Sequence, residues 1–323
     1  MKCITPTDSD RYATPMPRPS SVSVNTNDAV GWTDQYPIIF RFAKWWTQTM
    51  PRGKGWIPRK IGDLFCRNLR LFILTRHGAR LAVAPRSLDV YTFLLCNGRT
   101  WTPHLLEICR KFLTNGSTFY DIGANVGYIS IELSRLFHDL RVVAFEPQPD
   151  LARILAISAT LNGFKDLSVY DLMLGHEEGV ADLYIPNHSI HASLVSREKG
   201  AKKLKLRITA LDALVQCRAI PPPDFIKIDV EGAELEVFRG ATETIRDHKP
   251  FILFEADENM ARFGNARGDI LRYLCNLASY EFFFVDEAGY HPIVEENRDS
   301  SLYTDVLAIP TQRIADCRRN GLI

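Results

Sequence analysis

Thr118-Phe119-Tyr120-Asp121-Ile122-Gly123-Ala124-Asn125-Val126-Gly127 decides the fold. Thr118 to Asp121 reads as a short strand, and helical spacing runs from about Val126 to Phe137. The turn between them carries Gly123 and Gly127, which accept left-handed backbone and let the main chain approach a ligand, and Asn125, which also visits that region. Side chains at the two glycines are expected to fill ligand space or strain the turn. The same rhythm continues downstream. Arg141 to Glu146 is a second strand, with a helix over 150–162, and a third strand covers 167–171. Asp224 to Asp229 is the fourth, with a helix from about Gly232, and Phe251 to Glu255 is the fifth, with a helix near 267–278. Glu281 to Asp286 and Asp305 to Ile309 complete the set. Such alternation predicts an α/β, doubly wound, mostly parallel sheet with helices on both faces. Residues 172–210 interrupt it as an antiparallel insertion, with Gly179 to Pro186 and the alternating Leu204, Leu206 and Ile208.

In such sheets ligands bind beyond the carboxyl ends of the strands, where the strand order reverses. Glu146 ends the second strand about twenty residues after the glycine turn, the place where a carboxylate takes ribose hydroxyls. A dinucleotide wants glycine at each tight position and its pyrophosphate at the helix start. Here Asn125 replaces a glycine, and Asp121 would repel the anion. S-adenosylmethionine (SAM) has a ribose, an ammonium and a sulfonium and no phosphate, so the charge pattern favours SAM over NAD.

Beyond the turn, the chain carries Ala144-Phe145-Glu146-Pro147-Gln148-Pro149, Leu161-Asn162 and Thr209-Ala210-Leu211-Asp212. It then carries Phe225-Ile226-Lys227-Ile228-Asp229-Val230-Glu231-Gly232-Ala233-Glu234, Phe238-Arg239-Gly240-Ala241 and Phe251-Ile252-Leu253-Phe254-Glu255. In order and spacing, from about residue 76 to 310, this set resembles the FkbM-type SAM-dependent methyltransferases, which share the Rossmann-like class I fold. Ala210 is a departure, standing between Thr209 and Leu211 where the family runs Thr-Leu-Asp directly. The resemblance implies O-methylation of a sugar, glycoside or polyketide-type hydroxyl, with SAM as cofactor. The expected cofactor-binding set is Asp121, Gly123, Asn125, Gly127, Glu146, Asp171 and Asp229. A catalytically silent SAM-binding or scaffold protein and an NAD-linked oxidoreductase are the rival readings.

Asp229 should face the cleft from the end of the fourth strand, and it is the first candidate for base or acceptor orienter. Glu231 and Glu255 lie nearby, and carboxylates this close require a cation. The sulfonium, Lys227 or Mg²⁺ would each serve, although no metal ligands are assigned. Glu231 can instead cap the following helix. His188 and His191, in Asn187-His188-Ser189-Ile190-His191, are the alternative bases. The run Arg197, Lys199, Lys202, Lys203, Lys205 and Arg207 is a solvated strand face or a landing site for an acidic glycan.

Thirty-nine Lys and Arg against thirty-eight Asp and Glu give a formal charge of +1, which argues against a nucleic-acid partner. Cys3, Cys66, Cys96, Cys109, Cys217, Cys275 and Cys317 form no CxxC pair, so reduced thiols are expected rather than a disulfide framework. No run is long and apolar enough to span a membrane, and residues 1–30 lack an apolar signal core, so a soluble, cytoplasmic chain is expected. The aromatics and bases of 36–65 suit either packing on the domain or peripheral membrane contact. Four regions are expected: a polar disordered tail (1–35), an accessory region (36–116), the methyltransferase domain (117–310) and a C-terminal tail (311–323).

Overall fold

The computed structural model describes residues 20–35, 38–50, 70–83, 102–185, 202–294 and 304–323. Helix α1 (Ile38–Thr49) precedes a hairpin of β1 (Phe72–Leu74) and β2 (Arg80–Ala82), and α2 (Pro103–Phe112) follows. Then come β3 (Thr118–Ile122), α3 (Tyr128–Leu136), β4 (Arg141–Phe145), α4 (Pro149–Asn162) and β5 (Leu167–Tyr170). The insertion holds β6 (Met173–Leu174), β7 (Gly179–Ile185) and β8 (Lys202–Thr209), and α5 (Leu211–Gln216) leads out of it. The second half runs β9 (Phe225–Ile228), α6 (Glu234–Arg239), α7 (Thr242–His248), β10 (Phe251–Glu255) and α8 (Arg267–Leu277). It closes with β11 (Tyr280–Asp286), β12 (Gly289–Pro292), β13 (Asp305–Pro310) and α9 (Thr311–Arg319).

The main sheet has the order β12-β11-β13-β10-β9-β3-β4-β5. From β3 the chain winds outward through β4 to β5, then returns to place β9 on the other side of β3 and winds outward again through β10. The winding therefore reverses between β3 and β9, which creates a crevice above their carboxyl ends. Strand β13 enters antiparallel between β10 and β11. All seven strands read from the sequence are present; β12, which hairpins onto β11, was not anticipated. The insertion is a separate three-stranded sheet whose β7 and β8 pair antiparallel, as the alternation of Leu204, Leu206 and Ile208 predicts.

Every residue of β3 and β9 is buried, which is why these strands read as apolar-rich stretches rather than as strict alternation. Successive residues nonetheless serve opposite faces. Phe119, Phe225 and Phe251 pack with α2, α3, α4 and α9, whereas Tyr120, Ile226 and Ile252 pack with the side chains of α5 to α8. On the first face the rings form a ladder: Phe112 lies 5.0 Å from Phe251, which lies 6.3 Å from Phe225, itself 5.8 Å from Phe119. Ile73 and Leu81 of the hairpin, Leu105 of α2 and Ile314 of α9 share this core. Residues assigned from sequence to an accessory region and a C-terminal tail thus pack with the methyltransferase region. The quoted Asn162 is part of that join, since its side chain receives the Arg80 N–H (2.8 Å) and donates to the Arg80 carbonyl (2.7 Å).

Residues 20–35 depart from the expected disordered tail. The Val22 N–H donates to the Val169 carbonyl (2.7 Å) on β5, Arg153 pairs with Asp28 (3.1 Å), and Val22 and Val24 lie on the core. The reason is the sheet edge: β5 offers unpaired backbone groups, and even a polar segment with two valines satisfies them.

Candidate functional site

The cleft at the switch point is walled by the ends of β3, β4 and β9, by Thr102 and Leu105 beside α2, and by Leu172, Met173, Leu174 and Leu183 of the insertion. Its floor is the turn after β3. Asn125 adopts φ +54°, and Gly123 and Gly127 adopt φ +80° and +81°, the left-handed backbone expected of them. The five N–H groups of this turn all point back into the protein. Gly123 and Ala124 donate to the Phe145 carbonyl (2.9 and 3.0 Å), and Gly127 donates to the Ala124 carbonyl (2.8 Å). Asn125 donates to Glu146 Oε2 (2.8 Å), and Val126 donates to Asn125 Oδ1 (2.8 Å). The protein's own packing already requires both glycines. A Cβ at Gly123 would stand 1.8 Å from the Asp229 carbonyl oxygen, and one at Gly127 would stand 2.0 Å from Leu155 Cδ1.

Glu146 lines the cleft although it is 4% exposed. Its second oxygen accepts the Gln148 N–H (2.9 Å). Burial pushes its carboxyl up to about 7, against the lowering effect of the Gln148 and Asn125 amides. Asp121, also buried, accepts from Ser130 Oγ (2.7 Å), and its Oδ1 has no hydrogen-bond donor. That oxygen faces Lys227 Nζ at 3.5 Å, and the same ammonium lies 3.3 Å from Asp229 Oδ2. Burial alone would lower the Lys227 pKa; the carboxylates of Asp229 and Asp121 outweigh it and hold the ammonium charged. The chain itself therefore supplies a cation for these acids. Asp229 keeps a side chain 40% exposed to the cleft.

Glu231 and Glu234 divide the roles considered for Glu231. Glu231 sits at φ +59°, lines the cleft and accepts from Asn259 Nδ2 (3.2 Å). Glu234 holds the helix entry: its Oε1 accepts the N–H groups of Val230 and Gly232, both at 3.1 Å. Its carboxyl is pushed up to about 7 by burial. Glu255 is raised by burial and by Asp229, Asp257, Asp305 and Glu231 around it. Asp171, expected among the cofactor residues, is exposed and stands just before the lining residue Leu172 rather than in the cleft wall. His188 and His191 lie outside the described residues. His104 was missed from the sequence. It lies in the first turn of α2 between the lining residues Thr102 and Leu105, and its Nε2 is 3.5 Å from Asp305 Oδ2. The Asp305 contact raises its pKa, against desolvation. Thr102-Pro103, a helix start, was the one local signal for it.

The FkbM methyltransferase domain matches residues 121–291. Methyltransferase sdnD of Sordaria araneosa is 29% identical over 177 residues, 44% of this chain and 66% of its own. The hexuronic acid methyltransferase AglP of Haloferax volcanii is 29% identical over 128 residues, 39% of this chain and 51% of its own. The alignments thus span about half to two thirds of the length of these relatives. Among solved structures, methyltransferase FkbM from Methylobacillus flagellatus aligns at 16% identity and a TM-score of 0.43, covering 69% of this chain and 54% of that one. With its domain matched over more than half of its length, the chain belongs to the FkbM methyltransferase family.

Proposed function

We propose that the protein is a SAM-dependent O-methyltransferase acting on a hydroxyl of a carbohydrate, glycoside or polyketide-type acceptor. The observation that carries this reading is the occupied turn: Gly123 to Gly127 offer no free N–H to a pyrophosphate. What the cleft presents instead is acid. Asp121, Glu146, Asp229 and Glu231 line it against one base, Lys227, among the described residues. That balance repels a dinucleotide and attracts a ligand with an ammonium and a sulfonium. The exposed Asp229 and the cleft-lining Glu231 fit the cofactor's cationic groups, and Glu146 fits its ribose hydroxyls.

When bound, the cofactor supplies an electrophilic methyl group. The chain's own residues do the rest. Glu146 would hold the ribose diol. Lys227 Nζ stands 3.3 Å from Asp229 Oδ2, and Asp229 would accept the acceptor's hydroxyl hydrogen bond, aim its oxygen and take its proton. The carbohydrate class is supported by the name of the relative AglP, a hexuronic acid methyltransferase. The test is a screen of small glycosides and cell-envelope glycans with labelled SAM, read as label on the acceptor and release of S-adenosylhomocysteine. Calorimetry showing NAD bound and SAM ignored would end this reading.

A further inference from the structure

Six large hydrophobic side chains are exposed among the described residues, and three of them share one short helix. On α1, Ile38 is 83%, Phe42 45% and Trp45 47% exposed. Steps of four and three residues put them on a single stripe. The Phe42 ring lies 5.6 Å from that of Trp45 and 6.1 Å from that of Trp46, so the stripe is an aromatic wedge. Arg41, also exposed, flanks it.

Charge says what the wedge meets. Residues 36–62 contain Arg41, Lys44, Arg52, Lys54, Arg59 and Lys60 and no acid. Because the whole chain is +1, everything outside that stretch carries a net −5. A second copy is a poor occupant: α1 against α1 would bring like charges together, and the other exposed large hydrophobics, Val30, Val180 and Val294, are scattered. An anionic bilayer offers both complements at once, negative headgroups over an apolar interior, and Trp and Phe beside bases suit its boundary. We propose that α1 lies in the surface of an anionic lipid bilayer, with Ile38, Phe42 and Trp45 among the acyl chains and Arg41 at the headgroups.

The experiment is co-sedimentation of the full chain with vesicles of phosphatidylcholine alone or with added phosphatidylserine. Binding is expected only to the anionic vesicles, and it should decline as salt is raised. Phe42→Glu with Trp45→Glu should abolish it. Arg41→Gln and Lys44→Gln should each weaken it about fivefold. Thermal unfolding of each variant, expected to match the parent, separates lost binding from lost folding, and Ile38→Glu is an independent second disruption of the stripe. Absence of binding, equal binding to neutral vesicles, or full binding by the Phe42/Trp45 variant overturns the proposal. So does a dimer in the ultracentrifuge that the same variant dissolves while the parent ignores vesicles.

Discussion

Glu146 is a carboxyl kept from water by the protein, and we propose that it takes the cofactor's ribose hydroxyls. Glu146→Ala is expected to weaken SAM binding by about 1.5–3 kcal/mol, the scale of hydrogen bonds to a charged group, as calorimetry would measure. The ionised form is the one a cationic ligand favours, and burial pushes the carboxyl up to about 7. SAM affinity should therefore rise as pH climbs through 7, and Glu146→Gln should flatten that dependence. A wild-type affinity indifferent to pH over this range would remove the residue from the binding step. Asp229 is predicted to act on rate instead. Asp229→Asn preserves shape beside Lys227 yet removes the charge, and turnover should drop by at least ~100-fold while SAM affinity moves much less. If saturating SAM restored the rate, Asp229 would be a cofactor ligand and the proton acceptor would be sought at His188 or His191, or at His104, which Asp305 keeps at the same end of the sheet.

The turn after β3 shows how an element can be legible while its reason is not. Its glycines and Asn125 announce left-handed backbone in the sequence, and the structure has it. Of the two reasons expected for the glycines, ligand space or a strained turn, the second has a structural cause: a Cβ would collide with the Asp229 carbonyl at Gly123 and with Leu155 at Gly127. Gly123→Ala should consequently cost stability, on the order of 2–4 kcal/mol, by strain and by parting β3 from β9. Gly127→Ala should be partly rescued by Leu155→Ala, while Gly123→Ala should not respond to that change; melting temperatures of the two double variants decide it. The strands were legible for a related reason: buried on both faces, they leave short apolar runs bounded by turns. Glu234, His104 and Asn162 were not, because their partners, Val230 and Gly232, Asp305 and Arg80, are chosen by the folded chain. A polar residue advertises capacity for hydrogen bonds and says nothing of who will take them.

At the scale of the molecule, buried carboxyls, Glu146 and Glu234 among them, shape how stability follows pH. Glu146 and Glu234 both have folded values near 7, against 4.5 for the free side chain. Between those values the native state holds protons that the unfolded chain has released, so stability must fall as pH rises from about 4.5 to 7. Each group accounts for roughly 2–3 kcal/mol across that window. Denaturant titrations at its two ends should show the decline, and Glu146→Gln or Glu234→Gln should each remove part of it. A wild-type stability rising over the same interval would contradict the burial of these groups.

The position of β13 governs the order in which the sheet can be assembled. It is the last strand of the sheet in sequence, yet it separates β10 from β11. The β11–β12 hairpin accordingly has nowhere to dock until Asp305–Pro310 has been synthesised. A nascent chain halted before that point presents two raw strand edges, one on β10 and one on β11, each a template for pairing with a neighbouring chain. Late arrival of a single strand thus leaves this half of the sheet open to mispairing during synthesis, whereas β3, β4 and β5 can pair with one another much earlier.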